Sequence, residues 1–88
     1  MYTITARPKV DKIFLKLQKK NPRQLEIIYK KVDEIIQNPG HYKNLRSPLQ
    51  HWKRVHIDNH FVLAFSVDEN TKTVMLEDYD HHDNIYNQ

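Results

Sequence analysis

Apolar and polar residues change rhythm several times along this chain, and each change marks an element. Tyr2, Ile4 and Ala6 alternate with polar neighbours, the period of a strand with one covered face. From Pro8 the period lengthens. Val10, Ile13, Phe14 and Leu17 recur at i, i+3, i+4 and i+7, a helical stripe, while Lys9, Lys12, Lys16, Lys19 and Lys20 take the remaining surface. Asn21 reads as an N-cap, with Pro22 at the first helical position and Gln24 completing a capping box. The helix that follows carries Leu25, Ile28, Tyr29, Val32, Ile35 and Ile36 on one face, and Asn38-Pro39-Gly40 stops it. Two short helices joined by so tight a turn predict an antiparallel hairpin.

From Tyr42 to His51 no period is clear, and Pro48 argues for a loop. The period then becomes two: Lys53, Val55 and Ile57 share one side of a strand, and Trp52, Arg54 and His56 the other. If the aliphatic side meets the helices, Arg54 and His56 project together from the opposite side. FVLAFSV, residues 61 to 67, is apolar on both faces and predicts a central strand. DENTK is a turn, and TVMLEDY is a further strand that delivers the chain to His81 and His82. The order β-α-α-β-β-β predicts an α+β fold, a two-helix hairpin on one face of a mostly antiparallel four-stranded sheet. At 88 residues this is one domain, 1 to 88, around one modest core.

Composition narrows the chemistry. With no cysteine, disulfides, thiolate catalysis and cysteine zinc sites are excluded, which leaves His, Tyr, Asp, Glu, Lys, Arg and Ser. No apolar run approaches the roughly 18 residues of a membrane span, and the N-terminus lacks the order of a signal peptide, so a cytoplasmic protein away from membranes is expected. The net charge of +3 hides an asymmetry: residues 1–54 hold 13 Lys and Arg against 4 acids, net +9, and residues 55–88 hold 1 Lys against 7 acids, net −6. Such a split suits a basic face for phosphates or for an acidic protein partner, and it equally suits a solvated helical surface.

Five of the six histidines lie between positions 51 and 82. In a meandering sheet, His56 and Arg54 would meet His81, His82 and Tyr86 from beyond the last strand, with His60 close at a turn. A histidine near its ordinary pKa of about 6.5 gives or takes a proton at neutral pH, and an arginine holds a phosphate through two N–H groups. That combination suits phosphodiester cleavage, in which one group activates a hydroxyl, a cation offsets charge and another group protonates the leaving oxygen. Blander readings stand beside it: a half-exposed strand histidine, a tail anchored by Tyr86, a core place for Trp52 instead of a base stack. A metal site is not expected. His81 and His82 point to opposite sides of an extended segment, so at most one joins Asp80 or Asp83, and the spacing of zinc sites is missing.

The element order, the length and the phrases SPLQHWKRVHI and FVLAFSVDENTKTVMLEDYDHHDNIY together resemble the RelE/ParE superfamily of toxins from type II toxin-antitoxin systems. The run Arg54-Val55-His56-Ile57, the apolar strand after it, and His82 four residues before Tyr86 look most like the YafQ branch. The resemblance implies a ribosome-dependent endoribonuclease, an mRNA interferase that cuts by 2′-hydroxyl attack without metal or other cofactor. Carried over, His56, His82 and Tyr86 match that branch's strand histidine, C-terminal histidine and terminal aromatic, and with Arg54 they form the expected catalytic set. Lys53, His60, Phe61, Arg46, Trp52 and His81 are the expected RNA-binding residues. Phe61 falls where an aromatic sits near the mRNA, and His60 where the branch has an acid. Val62 replaces an arginine common in RelE-like members, and Ser47 stands where the YafQ branch has another histidine. The resemblance also implies an acidic antitoxin, RelB-like or DinJ-like, in a toxin-antitoxin hetero-oligomer, with the ribosome and mRNA as further partners. The stripe around Tyr29 and the loop from Leu45 to Leu49 are candidate antitoxin contacts. Two alternatives share the fold: a ParE-type gyrase inhibitor, and an inactive member that only binds antitoxin.

Overall fold

The computed structural model describes residues 1–86, and places β1 at Thr3–Ala6, α1 at Pro8–Lys20 and α2 at Pro22–Gln37, followed by a 3₁₀ turn at Pro39–His41. Strands β2 (Lys53–Ile57), β3 (Phe61–Asp68) and β4 (Thr73–His81) follow, and α3 (His82–Tyr86) closes the described chain. One sheet of order β1-β4-β3-β2 holds all four strands. β2, β3 and β4 meander antiparallel, while β1 lies parallel to β4 with Thr3 opposite Thr73. The predicted α+β order is therefore observed, with β3 and β4 at the centre of the sheet.

The helical hairpin forms where the capping residues place it. Asn21 caps α2 by accepting the Gln24 N–H at 3.2 Å, and Pro22 fits the first turn, where its missing N–H leaves no helical bond unmade. Gln24 also reaches inward to the hydroxyl of Tyr79 on β4, which fastens the start of α2 to the sheet. Under the hairpin lies the main core: Val10, Phe14, Leu25, Ile28 and Ile35 from the helices against Ile57, Leu63, Phe65, Val74, Leu76 and Tyr79 from the strands.

Two features were not in the sequence reading. The last strand runs past Tyr79 to His81, which pairs with Phe61, and the chain then winds into the single turn of α3. Secondly, the register between β3 and β4 slips at Ala64/Phe65, so Glu77 is an extra residue in β4. Its carboxylate takes the Arg7 guanidinium at 2.8 Å and the Ser66 hydroxyl at 2.6 Å, so an acid in mid-strand is buried with partners.

The face of the sheet turned away from the helical hairpin has a smaller core of its own. Val62 and Ala64 from β3, Leu45 from the loop and Ile85 from α3 are buried together, with Leu49, Trp52 and Tyr86 packed at the margin. Leu45 thus completes the chain's own interior instead of offering itself to a partner, and Trp52 packs half-buried at its margin.

Candidate active site

Alternation along β2 decides which of its side chains enter the site. Val55 and Ile57 pack toward the helices, so Arg54 and His56 point to the other side, opposite Ala64 and Val62 of β3. The end of β4 is tied down there, since the His82 N–H donates to the His60 carbonyl at 2.7 Å. Within α3, His82, Ile85 and Tyr86 are spaced i, i+3 and i+4, so they share one side of the turn. Ile85 is the buried anchor, and His82 and Tyr86 are carried in with it.

The result is an open pocket of about 450 Å³ whose walls include Arg46, Leu49, Arg54, His56, His82 and Tyr86 over an apolar floor at Ile85. The His56 and His82 rings stack 5.7 Å apart with their planes 26° from parallel. The Tyr86 ring lies 4.4 Å from His82, and the Arg54 guanidinium sits 5.7 Å from the Tyr86 centroid, an ordinary cation–π distance. His56 is held below the usual histidine pKa, first by burial, then by the positive charge of Arg54 and by His82. It is therefore neutral at pH 7, the form that accepts a proton. Pairing a neutral imidazole with a second imidazole and a fixed cation supports proton transfer at a phosphate.

Other expected residues lie elsewhere. His60 and His81 form a second stacked pair, 6.1 Å apart and 5° from parallel, outside the pocket. Phe61, cross-strand partner of His81, sits at the margin of the main core, its ring 5.5 Å from Tyr79 and 5.7 Å from His81. Five histidines on one concave side were expected. The structure brings His56 and His82 together there, and strand alternation sends His81 and Phe61 to the other side. Lys53 also leaves the pocket, its ammonium donating to the Tyr42 carbonyl at 3.1 Å and to Asn44 Oδ1 at 3.3 Å. Arg46 lines the pocket, and Trp52 packs half-buried against the margin of the small core beside it. Among the described residues, no three His, Asp or Glu side chains are grouped to hold a metal ion.

What sequence reasoning missed is the apolar support. Leu45, Leu49 and Ile85 carry the chemical groups without sharing their chemistry, and only the i, i+3, i+4 spacing around Ile85 signalled it.

No family model matches the chain. Over 86 residues it is 60% identical to a protein of Methanocaldococcus jannaschii described as "Putative toxin RelE4", with 98% of this chain and 92% of that one aligned. Among solved structures, the YoeB-YefM complex from Staphylococcus aureus superposes with a TM-score of 0.77 at 21% identity, covering 93% of this chain and 98% of that one. YafQ from E. coli superposes with a TM-score of 0.66 at 14% identity, covering 98% and 99%. The fold is thus shared with YoeB and YafQ, and identity across almost the whole length to a RelE relative places the chain in the RelE/ParE superfamily of toxins.

Proposed function

We propose that this protein is the toxin of a toxin-antitoxin pair and acts as a ribosome-dependent endoribonuclease on mRNA. The observation that carries the reading is the meeting of His56 and His82, distant in sequence, beside Arg54 and Tyr86 in one pocket. Neutral His56 takes the proton of a ribose 2′-hydroxyl, and the freed oxygen attacks the adjacent phosphorus. Arg54 holds the phosphate oxygens as charge builds on them. The bond from phosphorus to the 5′ oxygen breaks, His82 gives that oxygen a proton, and a 2′,3′-cyclic phosphate and a 5′-hydroxyl result. Tyr86 packs against His82 and positions a base of the substrate. The pocket is open, so the ribosome supplies much of the substrate alignment and cleavage of free RNA is slow.

The remaining expected RNA contacts, Arg46, Lys53, Trp52, His60, Phe61 and His81, divide by place. Arg46 approaches RNA from within the pocket, and the others reach it only from outside. Lysines along α1 meet ribosomal RNA, with binding that weakens as salt rises. An acidic antitoxin covers the outer surface of the helices, where Leu15 and Tyr29 are 64% and 55% exposed, and the complex resides in the cytoplasm. No helix among the described residues is long and apolar enough to cross a membrane.

Primer extension on mRNA translated with the purified chain tests the reading: new 5′ ends inside codons are expected, and they should be lost with His82→Gln. Intact mRNA together with inhibited DNA supercoiling by gyrase would select the ParE-type alternative, and neither effect would leave an inactive antitoxin-binding protein.

A further inference from the structure

Three aspartates surround the histidine pair near the chain's end, and the proposed chemistry uses none of them. Two are engaged elsewhere. Asp78 takes the Lys9 ammonium at 3.1 Å, and Asp80 Oδ1 accepts from the Asn84 amide at 3.0 Å and from the His81 N–H at 2.7 Å. Asp83 is placed differently. Its Oδ1 lies 3.4 Å from His82 Nδ1, and its Oδ2 lies 3.9 Å from His81 Nδ1. The Asp83 N–H also donates to His81 Nδ1 at 3.3 Å, so neutral His81 carries its own proton on Nε2. One carboxylate thus stands between two adjacent imidazoles, on a backbone held by the first and facing the second.

The other charged or titratable groups around His82 differ in kind. Arg54 and His56 approach from β2, Arg46 from the loop, and Tyr86 from the next turn of α3. Arginine is permanently cationic, and one of the two imidazoles carries a proton at each stage, so His82 must hold its proton inside an electropositive pocket. An imidazole that must donate from one nitrogen works best when its other N–H is held by an acceptor that also balances the positive ring. The 3.4 Å separation is longer than the 2.7–3.2 Å of a settled N–H···O bond, as catalytic contacts often are before substrate binds.

We infer that Asp83 is the positioning residue of His82: its carboxylate accepts the Nδ1 proton and leaves Nε2 as the nitrogen that protonates the departing 5′ oxygen. The inference rests on the nuclease reading of the same pocket. After transfer, His82 is left neutral with its proton on Nδ1, still bonded to Asp83, and Nε2 is ready to take up the next proton. The adjacency of His81 and His82 gains a reason, since His81 receives the backbone N–H that sets the direction of the Asp83 side chain.

The test uses the full chain carrying Asp83→Asn and Asp83→Glu, and reads imidazole nitrogen shifts by NMR beside mRNA cleavage on programmed ribosomes. Asp83 is 73% exposed, so the effect is that of an exposed ion pair, a fall of about 2- to 5-fold in the cleavage rate with Asn. The expected loss falls on kcat, while KM stays constant. In the NMR spectra His82 should pass from a mainly Nδ1–H form to a mixture of tautomers, and Glu should restore both readouts in part. Unchanged His82 tautomers in the Asn variant would overturn the inference. So would a tautomer change accompanied by a rise in KM with kcat unchanged. Wild-type chain that leaves ribosome-bound mRNA intact overturns the nuclease reading itself, whatever the nitrogen shifts give.

Discussion

Toward the helical hairpin, β3 presents Leu63 and Phe65, and toward the pocket it presents Val62 and Ala64, all four with no exposed surface. The covers differ. Two helices of 13 and 16 residues seal the first face, whereas one turn of helix and a loop cover the second. A thin cover leaves polar side chains at the rim of an apolar patch, open to a substrate on one side and against apolar side chains on the other. His56 feels that position directly, since burial is the first cause of its lowered pKa. The face with the heavier cover holds the fold, and the face with the lighter one has room for chemistry.

The comparison breaks first at the heavily covered face. Phe65→Ala removes the largest fully buried side chain of the main core and should destabilise the protein by about 3–5 kcal/mol, a large share of the stability of so small a domain. Urea denaturation would show it as a lower midpoint, and all activity should fall with it. A loss under 1 kcal/mol would mean that the helices do not hold the sheet as described.

On the lightly covered face the pattern reverses. His82→Gln should lower mRNA cleavage by about 10²- to 10⁴-fold, the usual worth of a general acid, and leave stability within about 0.5 kcal/mol. Cleavage at the wild-type rate would remove the acid from the scheme. Ile85→Ala lies between the two cases: it opens the small core and should cost about 2 kcal/mol, with cleavage lost in proportion as His82 and Tyr86 lose their support. Intact cleavage in that variant would show that α3 is held by something other than its one buried side chain.

The heavily covered face was also the legible one. Its helices announce themselves through apolar stripes over three or four turns and through Asn21-Pro22 and Gln24 at the joint, all local signals. The apolar run of β3 likewise marks a strand buried on both faces. The parallel pairing of β1 with β4 joins Thr3 to Thr73 across most of the chain, and no local pattern records it. α3 is a single turn, and its one i, i+3, i+4 spacing around Ile85 is too short a pattern to tell from a tail. The site was legible in part: β2 alternation puts Arg54 beside His56, and the same rule, applied to β4 up to His81, would have sent His81 away from the pocket. The strand's true end was needed for that step, and the His82 bond to the His60 carbonyl that marks it joins residues apart in sequence.

The finest test of the two-face comparison is the acidity of His56. Its proton affinity is lowered by burial, by Arg54 and by His82, in that order, so the folded protein binds a proton at this site less readily than the unfolded chain does. As pH falls from about 6.5 toward the lowered folded value, the unfolded chain takes up a proton that the folded one refuses, and stability falls. Below the folded value both states are protonated and this contribution levels off; above about 6.5 neither is, and the penalty vanishes. The same shift sets the reaction: His56 must be neutral to accept the 2′-hydroxyl proton, so the acid limb of the rate profile should lie below pH 6.5. Arg54→Gln removes the second cause and leaves the other two, so the limb should move up toward 6.5 without passing it, as rates measured from pH 5 to 8 would show. If the limb already stands above 6.5 in the wild type, the thin cover does not desolvate His56, and another group takes the proton.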